Sequence, residues 1–337
     1  ARPNVPFGTG GPGWPNLWRQ KTVQCKKTIA VLMGGISPER EISFLSGKAV
    51  TGALRKTNSN VVEIIVNDDI VHEIDGYEVD VAFIALHGLF GEDGGIPYTG
   101  SGVSASRLAI DKLKSKNVFK RNNIPTPDCF DFSITCSISE IIEGVEKITL
   151  PVVVKPIGTG SSVGISMIRK YDELCEGVAH SRLFDTQILI EKYIEGREVT
   201  VGILNDVPLP VIEIKSASLF YDYNAKYRDK RTQFVILKSA EKTGEKSLSH
   251  STYARVQELA LRAHQSLGCS DFSRVDLILG KDGEIYVLEV NTIPGFTERS
   301  LLPKAAAAEN IGFVELCNTI VINALKPTAK DISVVCP

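Results

Sequence analysis

The chain has 337 residues, enough for two or three ordinary domains rather than one small core. Its net charge is −2, with 43% hydrophobic and 23% charged residues, so it lacks the basic excess used in general nucleic-acid binding. No run of about 18 apolar residues occurs, and the seven cysteines (Cys25, Cys129, Cys136, Cys175, Cys269, Cys317 and Cys336) are odd in number, scattered and without a C-x-x-C pair, which argues against a spanning helix, a disulfide framework and a zinc site.

Residues 1–26 are rich in Gly and Pro, lack periodicity and read as a disordered leader without a signal-peptide pattern. From Lys27 onward, Thr28 to Leu32 reads as an apolar strand, Gly34-Gly35 as a turn, and Ser37 or Pro38 as the start of a helix. The strands VVEIIV and VDVAFIALHG follow, in the order expected of a parallel sheet. Next, SRLAIDKLKSKNVFKRNN has helical spacing through Leu108, Leu113 and Phe119, and IPTPDCF ends it. A second unit holds a helix near Ser137–Glu146, the strand LPVVVKP, the run IGTGSSVGIS, a helix around Tyr171–Ala179 and the strand TQILIEKYI. A third begins near Val201. It holds the strands EVTVGIL and LPVIEIK, a polar stretch from Tyr221 to Gly244, and a helix from about Ser249 to Leu267. The hairpin RVDLILGKDGEIYVLEVN follows, then a helix at roughly Gly312–Leu325 and a tail that reads as unstructured.

Four constellations carry chemistry. In KPIGTGSSVG, Lys155 to Gly164, glycines let backbone N–H groups turn toward an anion, the serines add donors, and Lys155 supplies a charge at the strand end. No Lys-Ser/Thr follows the glycines, so this is not a Walker loop, and a flexible surface hairpin fits the run equally well. In IEKYIEGREVT, Glu191 and Lys192 end an apolar strand and Glu198 follows; such a strand end can read an adenine edge and a ribose, or can simply be solvated. Near SPEREIS and ALHGLFGEDG, Glu39, His87, Glu92 and Asp93 fall where open α/β sheets gather ligands, at the carboxyl ends of strands.

The hairpin is the fourth. Side chains alternate along a strand, so Arg274, Asp276 and Ile278 are expected on one face, and Val287, Glu289 and Asn291 on one face of its partner. If Asp276 sits opposite Glu289, the two sets converge and Lys281 to Glu284 form a four-residue loop. A shift of one residue sends the acids to opposite faces. In the converging register, two carboxylates and an amide oxygen suit a Mg²⁺ that also holds phosphates, with Arg274 placed for a phosphate or for developing charge. A sheet with one wet face alternates in the same way and remains an alternative.

Taken together, GGISPEREISFLSG, ALHGLFGEDG, PYTGSGVSASRLAIDKLKSK, VVVKPIGTGSSVG, ILIEKYIEGREVTV, FYDYNAKY, RVDLIL and VLEVNTIPGFTERSLLP, in order from about Lys27 to Leu325, resemble the D-alanine–D-alanine ligases of the ATP-grasp superfamily. The resemblance implies an α/β chain, α+β in its ATP-binding part, with a three-domain ATP-grasp architecture and an N-terminal parallel-sheet domain. Residues 27–112 would form the substrate domain, 113–202 the central subdomain, 203–327 the C-terminal subdomain with the metal site, and 328–337 a disordered tail. It further implies ATP-dependent joining of two D-alanines through D-alanyl phosphate, for peptidoglycan precursor synthesis in the cytoplasm. Homodimerisation is expected from the resemblance alone, and neither nucleic acid nor membrane is expected as a partner.

Position by position, the resemblance puts Lys112 and Lys155 on ATP phosphates beneath a loop carrying Ser161 and Ser162. Glu191, Lys192 and Ile194 would meet adenine, and Glu198 the ribose. Asp276, Glu289 and Asn291 would hold two Mg²⁺, with Mn²⁺ as a substitute. Arg274 and the Gly295 N–H would stabilise the tetrahedral intermediate. Glu39, with His87 nearby, would hold the first D-alanine's ammonium, and Ser300 and Leu301 the second D-alanine's carboxylate. Lys226, also a nucleotide and substrate contact, and Tyr227 lie on a closing loop; Glu39, Ser161 and Tyr227 would clasp the domains and exclude water.

One departure stands out. Relatives of this type carry roughly nine residues, about two and a half helical turns, between GEDG and GIPYTG, whereas here Gly94 runs directly into Gly95. A nucleotide-binding protein without ligase activity is therefore an alternative, as is a ligase using D-lactate or D-serine. FYDYNAKY argues against D-lactate, because lactate-forming relatives carry a different closing loop with a histidine.

Overall fold

The computed structural model describes residues 27–37, 39–58, 60–67, 76–86, 96–133, 135–160, 163–215, 232–241 and 243–326. The N-terminal part is built on β1 (Ile29–Gly34), α1 (Arg40–Leu54), β2 (Val61–Val66) and β3 (Val81–Ile84). These strands form a parallel sheet in the order β2-β1-β3. Every residue of central β1 is buried, as expected for a parallel strand covered on both faces. Helix α1 lies close on this strand because Gly47 has no side chain: a Cβ there would sit 2.6 Å from Met33 Cβ. Glu39 is the residue before the first helical turn, at the carboxyl end of β1.

The predicted single helix around Leu108 is two helices, α2 (Val103–Ile110) and α3 (Lys112–Arg121). Asp111 breaks them apart, leaves helical geometry at ψ 99° and caps α3 by accepting a hydrogen bond from Lys114 N at 2.9 Å. The buried face of α3 runs through Lys112, Ser115, Lys116 and Phe119, not through Leu113.

The second sheet comprises β4 (Cys129–Ser133), β5 (Val152–Pro156), β6 (Ser166–Ile168) and β7 (Gln187–Lys192), antiparallel in the order β4-β7-β5-β6. Helices α4 (Ile138–Ile148) and α5 (Leu174–Arg182) cover one face, burying Val152, Val154, Ile188 and Ile190 together with their own Ile141, Val145, Leu174 and Val178. Alternation sends Lys155 and Glu191 to the opposite face.

The third sheet holds β8 (Gly196–Leu204), β9 (Val207–Pro208), β10 (Ile212–Lys215), β11 (Gln233–Ile236), β14 (Phe272–Gly280) and β15 (Ile285–Asn291), in the order β11-β10-β8-β14-β15 with β9 on β8. Between β11 and β14 in the chain come the short parallel pair β12 (Lys238–Ala240) and β13 (Ser247–Ser249), and α6 (His250–Ser266). The expected boundary at residues 202/203 falls inside β8, whose ladder partners all belong to this sheet. One face packs Val199, Val201, Val275 and Leu277 against α2, α3 and α6. The other meets α7 (Leu301–Ala308), α8 (Phe313–Ala324) and the N-terminal sheet in a shared core containing Phe83, Phe272 and Phe296.

No single described helix is long and apolar enough to cross a membrane. The α7–α8 pair is apolar, but it bends by 105° and buries Leu302, Ala305, Leu316 and Ile320 in that shared core. The architecture is α/β in its N-terminal part and α+β beyond it.

Candidate active site

The hairpin supplies the acids. Asp276 pairs with Glu289 across β14–β15 and Arg274 pairs with Asn291, so all four side chains share one face. The expected route to that register needs correction. Leu279 pairs with Ile285, and Gly280 N donates to Glu284 O at 2.8 Å, leaving a three-residue turn, Lys281 to Gly283, rather than four. Gly283, at φ 89°, takes the left-handed position that such a turn requires. A bulge then inserts Leu288, because Leu277 pairs with Val287 but Asp276 with Glu289. Val287 therefore lies in the core opposite Leu277, not beside Glu289 as the alternation predicted.

Asp276 is buried and held on both oxygens. Its Oδ1 accepts from Thr200 Oγ1 at 2.6 Å and from Arg274 Nε at 3.0 Å, and its Oδ2 accepts from Arg274 Nη2 at 2.8 Å. The forked guanidinium contact fixes both side chains in one plane. Thr200 sits directly opposite Asp276 on β8, and Glu198 opposite Ile278, so Glu198 opens onto the same face. Asn291 Oδ1 accepts from Ile293 N at 3.1 Å. Among the described residues no group of three or more His, Cys, Asp or Glu gathers. Two carboxylates and an amide oxygen make a partial oxygen shell, which fits Mg²⁺, an ion that keeps waters and takes phosphate oxygens.

The cationic wall comes from α3 and the second sheet. Lys155 Nζ lies 2.5 Å from Glu191 Oε1, and Lys116 Nζ 2.8 Å from Glu191 Oε2. Burial alone would raise the Glu191 carboxyl, but Lys116 and Lys155 outweigh it and hold it down to about 2. Lys112 reaches the base of the glycine run, donating to Thr159 O at 2.5 Å and more weakly to Ile157 O. The stems of that run are pinned: Gly158 N donates to Asp185 Oδ2 at 2.7 Å, and Ser181 Oγ donates to Gly164 O at 2.5 Å. Next to Glu191, Lys192 is exposed and its N–H donates to Asp128 O, while Ile194 is buried.

The N-terminal domain reaches the site through Glu39 and Ser46. A Cβ on Gly160 would meet Glu39 Oε2 at 3.3 Å, so the Glu39 carboxylate lies against the glycine run. Phe296 inserts between the domains, edge-on to Phe83 with centroids 5.4 Å apart and tilted against Phe272 at 5.7 Å; its N–H donates to Ser46 Oγ at 3.0 Å. This anchors the neighbouring Gly295. Ser300 precedes the first turn of α7 without a capping bond from its side chain; its Oγ instead accepts from Thr297 N at 3.0 Å and lies 3.4 Å from where a Gly295 Cβ would be. Leu301 follows in the first turn, mostly buried. An uncovered helix start beside a backbone N–H is suited to a carboxylate.

His87, Ser161, Ser162, Lys226, Tyr227 and the Gly94–Gly95 junction lie outside the described residues. Sequence reasoning gave no part to Lys116, Thr200, Ser46 or Phe296. A signal for Lys116 existed: Lys112, Ser115, Lys116 and Phe119 have the spacing of one helical face.

Known proteins resemble the chain in sequence and fold. The family model described as "D-ala D-ala ligase C-terminus" matches residues 119–322. The D-alanine–D-alanine ligase of Citrifermentans bemidjiense is 43% identical over 304 residues, covering 86% of this chain and 94% of the relative. A crystal structure of D-alanine–D-alanine ligase from Bacillus anthracis complexed with ATP superposes with a TM-score of 0.76 at 32% identity, covering 89% of this chain and 97% of that one. The VanG D-Ala:D-Ser ligase from Enterococcus faecalis gives 0.74 at 27% identity, covering 90% and 100%. By sequence and by fold, the chain belongs to the D-alanine–D-alanine ligase family.

Proposed function

We propose that the protein joins two D-alanine molecules into D-alanyl-D-alanine at the expense of ATP, as a step toward peptidoglycan precursors. The observation that carries this reading is the convergence of Arg274, Asp276, Glu289 and Asn291 on one face of the hairpin. Membership of the family gives it its chemical direction.

The first D-alanine's carboxylate oxygen attacks the γ-phosphorus, ADP departs, and an acyl phosphate forms. The second D-alanine's amine, as the free base, then attacks the acyl carbon. The tetrahedral intermediate collapses, the C–O bond to phosphate breaks, and inorganic phosphate leaves with the proton that the nitrogen gives up as the amide forms. Both partners of the first step are anions, so their repulsion must be offset. Lys112 and Lys155 bring positive charge to the phosphates, and Arg274 meets charge developing on the intermediate together with the Gly295 N–H. Asp276, Glu289 and Asn291 would hold Mg²⁺, which supplies charge neutralisation for the phosphates.

Adenine would lie by Glu191, Lys192 and Ile194, with the ribose at Glu198. Glu39, with His87, would hold the first substrate's ammonium, and the α7 start at Ser300 and Leu301 the second's carboxylate. Ser161, Ser162, Lys226 and Tyr227 would close over the site against Glu39 and exclude water from the acyl phosphate. We place the enzyme in the cytoplasm and, by family resemblance, in a homodimer.

Similarity to a D-Ala:D-Ser ligase supports a second reading, with D-serine as the acceptor. Phosphate release measured with D-alanine alone, then with D-serine or D-lactate added at neutral pH, separates the acceptors. Dipeptide from D-alanine alone is expected. Release that depends on a second acceptor would reassign the substrate, and ATP binding without D-alanine-dependent ADP formation would leave a binding protein.

A further inference from the structure

Two lysines, Lys116 and Lys155, converge on the single carboxylate of Glu191. Lys116 is 0% exposed, which is rare for a lysine, and it is also fixed by a hydrogen bond from its ammonium to Thr126 Oγ1 at 2.7 Å. It lies on the buried face of α3 with Lys112, Ser115 and Phe119, in the helix that Asp111 caps. Lys155 approaches the same carboxylate from the end of β5, just before the glycine run. Glu191 thus has one oxygen for each lysine; burial lowers the Lys116 ammonium from its ordinary range and the Glu191 carboxylate opposes that shift.

The second lysine has a consequence for a nucleotide. An ionised carboxylate in a buried site needs a partner, and removing a sole partner is strongly unfavourable. With two lysines on Glu191, one can move to a phosphate while the other stays. Lys116 is the one that stays, since Thr126 and the buried face of α3 hold it. Lys155, at the strand end beside Gly158, is the one placed to leave.

We propose that Lys116 is a positioning residue for nucleotide binding: it is the standing counter-ion of Glu191 and thereby frees Lys155 for the phosphates of ATP. The proposal rests on the reading that Lys155 serves those phosphates. Without Lys116, Glu191 and Lys155 form a neutral pair that is adequate for the unliganded fold. Binding ATP must then strand a buried carboxylate or forgo the Lys155 contact.

The test is the affinity of the full chain for ATP with Mg²⁺, by titration calorimetry, in Lys116→Met and Lys116→Gln variants whose folding is checked by circular dichroism and thermal melting. Both should fold, and both should bind ATP roughly 30-fold or more weakly. In a Glu191→Gln background, where no carboxylate is left to strand, Lys116→Met should cost less than about three-fold. A merely structural lysine would give the same loss in both backgrounds. ATP affinity within about three-fold of the parent for both variants, an equal loss with and without Glu191, or failure of both variants to fold would each overturn the proposal. Parent protein that binds no ATP would overturn the functional reading instead, so the two failures are distinct.

Discussion

Asp276 stands directly opposite Glu289 across the β14–β15 ladder, and it does so because Leu288 is an extra residue in β15. The three-residue turn alone would have paired Asp276 with Leu288 and sent Glu289 to the apolar face. The bulge resets the parity. It lets Val287 and Val290 both enter the core while Glu289 and Asn291 look into the site. Bulges beside active sites commonly re-aim a side chain in this way.

Glu289→Gln should therefore disable turnover while sparing the fold. The residue is only half-buried, and glutamine keeps its size. Loss of one carboxylate should weaken metal affinity on the order of 10–100-fold, read as a raised Mg²⁺ requirement and reduced kcat. Thermal melting should stay close to the parent. Intact kcat at ordinary Mg²⁺ would remove Glu289 from the site.

Arg274→Ala should affect both activity and stability. The guanidinium holds both oxygens of buried Asp276, so its loss leaves that carboxylate with Thr200 alone among these two partners. A fall in kcat of about 100- to 1,000-fold is expected if Arg274 also meets the developing charge. Arg274→Lys should recover little, since an ammonium lacks the fork. Full activity in Arg274→Lys would show that charge without bidentate geometry suffices.

Phe296→Ala should cost roughly 3–5 kcal/mol by chemical denaturation. The ring is nearly fully buried and bridges Phe83 of the N-terminal sheet to Phe272 of the third sheet. Because Gly295 precedes it in the chain, the surviving folded fraction should also lose activity. A change below about 1 kcal/mol would mean that the domains join by other contacts.

Stability should rise with pH between about 4 and 6.5 through His264. Burial drives its imidazole down to about 4, with Asp206 only partly opposing, whereas an unfolded histidine titrates near 6.5. The unfolded chain binds more protons in that window, so the contribution is fully present above it and is lost as pH falls through it. The total is roughly 3 kcal/mol. Urea denaturation at several pH values should show the slope, and His264→Gln should flatten it. Glu191 acts lower: its carboxyl, depressed to about 2, gives stability that is lost only as pH falls below the ordinary glutamate range.

The long helices were legible in the sequence because their apolar spacing and caps are local. The helix expected from about Ser249 to Leu267 runs from His250 to Ser266, and the last one, expected at Gly312–Leu325, from Phe313 to Ala324. The pairing of Asp276 with Glu289 was legible as one of two registers, but the bulge that achieves it was not, since Leu288 looks like any strand leucine. Helix α7 was missed because its apolar LLPKAAAA segment has no polar face and is buried among neighbours distant in sequence. Lys116 was missed for a related reason. A lysine reads as a solvated residue until the fold brings Glu191 and Thr126, 75 and 10 residues away, around it.

The most direct measurement is product analysis by mass spectrometry after incubating the protein with D-alanine, ATP and Mg²⁺. D-alanyl-D-alanine should appear with one ADP and one inorganic phosphate per dipeptide, and L-alanine should give none. ATP consumed without dipeptide, or product formed only when D-serine or D-lactate is supplied, would contradict the assignment.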